Sequence, residues 1–161
     1  MEQLECRPTS EMEAGDQEAE SLCRWAAGRA GVIVVVPVIG TIALVANEVY
    51  MIVRIAKVYG KEVSETTVVA FIASLGAAFV GQTLATLIPF PPLQVPIGMS
   101  VTYGLGKVAQ KWIKDGMPND VSTYKATFEE AKAHAKENLD EFKQHPDREV
   151  PLGDEKRKFK V

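Results

Sequence analysis

With 161 residues, of which 47% are hydrophobic and 24% charged, and a net charge of −3, the chain is long enough for one ordinary domain with its own core. Its charges are unevenly spread: residues 1–23 carry seven acids and one base, residues 24–116 four acids and eight bases, and residues 117–161 ten acids and nine bases. A basic apolar centre beside an acidic head argues against nucleic-acid binding, which needs a clustered positive face, and two cysteines, Cys6 and Cys23, make neither a CxxC motif nor a disulfide framework and so fit a reducing compartment.

Residues 1–23 are rich in Glu and poor in large apolar side chains, a composition that predicts an acidic disordered tail rather than a signal peptide. Residues 24–116 read as an apolar helical membrane domain. Arg24 and Arg29 precede the uncharged run Ala30 to Ala46, and Trp25 stands where an aromatic interface anchor would. Gly31, Pro37 and Gly40 make a straight helix through that run improbable. Farther on, Asn47, Tyr50, Arg54 and Lys57 recur at helical spacing as a polar stripe, flanked by Glu48. Residues 30–53 are therefore open to two readings: a full span from about Val32 to Val53, or a bent, re-entrant or interface-lying helix.

Gly60 is placed to close this helix, and Ser64 to cap the next, with Glu65 in its first turn. There follow forty-one residues, Thr66 to Gly106, without one Asp, Glu, Lys, Arg or His. The first arm, Thr66 to Ile88, has 23 residues, the length of a membrane-spanning helix. PFPPLQVP at Pro89 to Pro96 turns the chain, and its prolines are expected to bar a helix. The returning arm from Ile97 ends on Lys107, Lys111 and Lys114 beside Trp112. Together these predict a membrane-inserted helical hairpin, with Arg24, Arg29, Lys61, Lys107, Lys111 and Lys114 as lipid headgroup contacts and both flanks in the cytosol. Ala73, Ala77, Gly81 and Ala85 form a strip of small side chains suited to helix packing. The alternative is that the same stretch forms the buried centre of a soluble helical domain.

Past the breaker Asp115-Gly116-Met117-Pro118, residues 117–146 read as a cytosolic amphipathic helix capped by Asp120 or Ser122. It sets Tyr124, Phe128, Ala131, Ala135, Leu139 and Phe142 on one narrow face, able to dock a partner or to pack on its own domain. Residues 147–161 are a charged tail. Gly60-Lys61 and Gly104-Leu105-Gly106-Lys107 lack the spacing of a phosphate loop. His134 with Glu130 and Glu137 reads as a solvated helix face rather than a metal site. The residues suggest no catalytic set, cofactor or metal.

PVIGTIALVANEVYMIVRIAKVYG at Pro37 to Gly60, the small-residue helix with Gly76 and Gly81, the proline break, and SVTYGLGKVAQKWIKDG at Ser100 to Gly116 together resemble the YcjF-type family of GTPase-associated bacterial membrane domains. The resemblance covers roughly half the chain. It implies an accessory membrane module, a GTPase partner acting in trans, since this chain holds no GTPase domain, and a place in the bacterial inner membrane with both termini cytoplasmic. The expectation is thus an all-α, non-enzymatic membrane-associated protein acting as an anchor or accessory module. Its alternatives are an oligomeric pore or membrane-remodelling assembly and a soluble α-helical domain that binds an apolar ligand.

Overall fold

The computed structural model describes residues 9–33, 39–78 and 91–144. Among them the chain is all-helical, in the order α1 (Thr9–Ile33), α2 (Ile39–Val58), α3 (Glu65–Ala78), α4 (Pro91–Lys114), a short 3-10 turn (Ser122–Tyr124), α5 (Lys125–Glu137) and α6 (Leu139–Lys143). The bundle is built around α4, which packs against α1, α2, α5 and α6. From Met99 to Gly106 every residue of α4 is buried, because protein surrounds it.

The acidic head is not a disordered tail where it is described: residues 9–23 form the first half of α1. What orders it is a row of small side chains. Ala19, Cys23, Ala26, Ala27 and Ala30 are fully buried, and their spacing of three to four places them on one helix face. Small residues let backbones approach closely, so α1 lies tightly between α2 and α4. It runs antiparallel to α4, since Gly31 meets Met99, Cys23 meets Gly106 and Asp16 meets Lys114. It is likewise antiparallel to α2, with Asn47 at Ala26 and Gly15 at Tyr59. Residues 30–53, read above as one spanning or bent helix, therefore hold the end of α1 and most of α2.

Two glycines end helices in the same way. Gly60 (φ 69°) and Gly116 (φ 88°) adopt the left-handed conformation, and in each case the next residue donates back across the turn, Lys61 to Ala56 O at 2.9 Å and Met117 to Trp112 O at 2.8 Å. These are the 6→1 bonds that close a helix C-terminus. Ser64 caps α3 as expected, its Oγ accepting the Thr67 N–H at 3.1 Å.

The prolines do not bar a helix. Pro91 and Pro92 stand in the first turn of α4, where an amide N–H has no intrahelical partner to lose. Pro96 alone lies inside and removes one backbone bond. No helix among the described residues is long and apolar enough to cross a membrane. The returning arm of the expected hairpin is instead the bundle's central helix. Residues 79–90, which include the second half of the first arm, lie outside the described residues.

The C-terminal segment also differs from one continuous helix. It breaks at Asn138, whose side chain donates to His134 O at 2.8 Å and so competes for a helix carbonyl. Its apolar face is turned inward: Tyr124, Phe128, Ala131, Ala135 and Phe142 are buried and Leu139 packs against the same core. Tyr124 caps this contact with a hydrogen bond to Asp115 at 3.0 Å.

Gly106 marks the tightest crossing. A Cβ there would stand 2.5 Å from Cys23 Sγ and 2.9 Å from Met51 Sδ. Gly106→Ala is expected to lower stability by about 1–3 kcal/mol through overpacking, measured by urea denaturation. Adding Cys23→Ala should recover part of the loss; no recovery would mean that the crossing is not the cause.

Candidate functional site

Three arrangements of polar or unpartnered side chains stand out: a seam between α1 and α4, a buried carboxyl at the centre, and the outer face of α3.

The seam joins the acids of α1 to the bases of α4. Asp16 accepts from Tyr59 OH at 2.5 Å, from Lys114 Nζ at 2.9 Å and from Gln110 Nε2 at 3.3 Å. The bond from Tyr59, aided by Lys114, holds its carboxyl below the ordinary carboxylate range. Glu20 accepts from Tyr103 OH at 2.7 Å, Lys107 Nζ at 2.9 Å and Arg24 Nε at 2.9 Å. Burial would raise its carboxyl, but these three donors outweigh it and keep the group ionised at a lowered pKa. Gln110 links the halves, donating to Tyr59 OH at 2.7 Å and accepting from Lys107 at 3.0 Å. Beside this seam, Tyr103, Lys107, Thr127, Glu130, Ala131 and His134 line a groove of ≈ 360 Å³ between α4 and α5.

Several residues expected at lipid headgroups are paired within the bundle, in this seam or beside it. Arg24 pairs with Glu20 and Glu141, Lys107 with Glu20, Lys111 with Asp115 and Lys114 with Asp16. Arg29 lies over the Trp25 ring, 4.9 Å from its centroid. Trp25 itself is buried against Tyr50 rather than standing at an interface, and Trp112 stacks on Phe71 at 4.1 Å while donating to Pro118 O at 2.9 Å. Lys61 remains exposed. The acids that neutralise these bases were legible in the sequence, but the pairing of Lys107 with Glu20 and of Lys114 with Asp16 was not, because each joins residues about ninety positions apart along the chain.

The polar stripe of α2 divides. Arg54 and Lys57 face outward to differing degrees, whereas Asn47 and Glu48 are buried, each 6% exposed. Asn47 donates to Ala26 O at 3.0 Å, and its Oδ1 has no hydrogen-bond partner among the described residues. Glu48 receives one bond, from Thr102 Oγ1 at 3.3 Å. Burial pushes its carboxyl up to about 7, against which the Thr102 bond acts only weakly. The Cys23 thiol, fully buried, is raised to about 12 by the same cause, which makes it an inert packing group at neutral pH.

On α3, Val68, Phe71 and Leu75 are buried, whereas Thr66, Thr67, Val69, Ala70, Ala73 and Ser74 are exposed. Of the small-residue strip, Ala73 thus faces outward; Ala77 belongs to α3, and Gly81 and Ala85 lie outside the described residues. The Ser74 hydroxyl donates to Ala70 O at 2.8 Å and so is satisfied within the helix. Among the described residues, α3 packs mainly on α2 and reaches α4 through the Phe71–Trp112 stack.

Compared with family models, curated proteins and solved structures, the chain matches none of them.

Proposed function

We propose that this protein is a non-enzymatic membrane-associated helical module, in which the bundle of α1, α2, α4 and α5 is held at a bilayer through α3 and the charge-free sequence that follows it. The observation that carries this reading is the outer face of α3. It exposes Val69 at 42% beside Ala70, Ala73 and small hydroxylated residues, with no ionisable group on it beyond the first turn. Soluble bundles usually set charged residues on such a face. The Ser74 bond to Ala70 O removes a polar group that an apolar medium would otherwise leave unsatisfied. Fourteen residues rise about 21 Å, short of a hydrocarbon core of ~30 Å. The uncharged sequence from Thr66 to Ile88 has 23 residues and is long enough.

The accessory role follows from the body. The acids and bases of the seam between α1 and α4 neutralise one another, and the C-terminal apolar face is consumed in packing, so a protein partner would meet charged outer faces. A GTPase acting in trans at the bacterial inner membrane is the partner implied by the resemblance of residues 37–116.

A second reading, a helical domain that binds a small ligand without a membrane, is favoured by the groove at Tyr103, Lys107 and His134. Fractionation separates the two. The expressed protein is expected to remain in the membrane pellet through a carbonate wash and to need detergent for extraction. Recovery as a monodisperse species without detergent would sink the anchor and favour the ligand domain.

A further inference from the structure

The structure sorts seven of the eight basic side chains of residues 24–116 into two sets, the eighth, Arg29, lying over the Trp25 ring. Arg24, Lys107, Lys111 and Lys114 are each neutralised by an acid of the bundle. Arg54, Lys57 and Lys61 make no ion pair with a described residue. These three follow one another at i, i+3 and i+7 along the end of α2 and the turn after it. The two helical ones share a face, and the Gly60 turn fixes the third through the bond from Lys61 N to Ala56 O. Lys61 is three residues before Ser64, the cap of α3, so the set stands at the elbow from which the charge-free face of α3 departs.

We propose that Arg54, Lys57 and Lys61 bind the headgroups of anionic lipids beside the point where α3 meets the bilayer. The inference rests on the anchor reading above and specifies its lipid. Cations beside a membrane-seated helix gain from the negative surface potential of anionic lipid, an attraction that fades within a Debye length and weakens with salt. Two exposed acids share the elbow, Glu62 and Glu65. Glu65 lies in the first turn of α3, where the positive end of the helix dipole offsets its charge. Glu62 has no such partner and opposes binding, which gives the surface a test of either sign.

The full chain, exchanged from detergent into vesicles, is floated with phosphatidylcholine alone and with phosphatidylcholine mixed with phosphatidylglycerol. Binding should be stronger to the anionic vesicles and should fall as salt is raised. The triple variant R54Q/K57Q/K61Q should lose about a hundredfold of the anionic affinity, and E62Q should gain, with both keeping the helical circular dichroism of the parent. Equal binding to both vesicle types overturns this inference and leaves the anchor standing. Failure to float with either overturns the anchor and the inference with it. Should the triple variant unfold, E62Q decides alone: no gain on anionic vesicles sinks the proposal.

Discussion

Replacing Glu48 with glutamine is expected to remove most of a pH dependence of stability that the parent shows between about pH 4.5 and 7. The carboxyl is buried between α2 and α4 with one hydrogen bond, from Thr102, and no cation among the groups that act on it. Its pKa rises from 4.5 to about 7 on folding, so over that window the folded chain holds a proton that the unfolded chain has released. Stability is therefore unaffected by this group below pH 4.5, falls as pH rises toward 7, and is flat above. A displacement of this size corresponds to about 3 kcal/mol at the alkaline end. Glu48→Gln stays neutral throughout. It should match the parent near pH 4.5 and exceed it by up to that amount at pH 8, read from urea unfolding at both values. Parallel pH profiles for the two proteins would show that Glu48 is solvated rather than buried. The same variant bears on the pore alternative, because a module that only anchors should bind vesicles equally well with glutamine at this position.

The second large effect is expected at Phe142. Its side chain is 1% exposed and stacks on Tyr103 with ring centroids 5.0 Å apart, while Arg24 lies 5.9 Å above it. Phe142→Ala should cost about 3–5 kcal/mol, the range for emptying a buried aromatic site. It should also release α6, since the Arg24–Glu141 pair is half exposed and contributes little by itself. The loss should appear in purified protein with nothing added, as a lower midpoint in urea and faster exchange of α5 and α6 amides. A partner-docking face would behave otherwise: its truncation would leave the isolated protein as stable as before and weaken only an association.

The helices that local chemistry specifies were legible in advance. Ser64, Gly60 and Gly116 mark their ends because a cap and a left-handed turn depend on a few adjacent residues. The uncharged stretch from Thr66 and the narrow apolar face at Tyr124 to Phe142 were also legible, since periodicity and composition are local quantities. That α1 would form was not legible from large apolar residues, of which its first half has almost none. The signal was the row Ala19, Cys23, Ala26 and Ala30, which matters only when another backbone lies against it.

What the sequence by itself determined is the all-helical class, several helix ends, and the segregation of charge into an acidic head and a basic centre. Only the tertiary structure decided what each apolar or charged face meets. Burial is a property of neighbours: a stretch free of charge is equally compatible with lipid and with four surrounding helices, and α4 takes the second environment. Asp16 and Glu20 in the same way become partners of Lys114 and Lys107 rather than solvated charges. Those contacts exist only once α1 has folded back along α4.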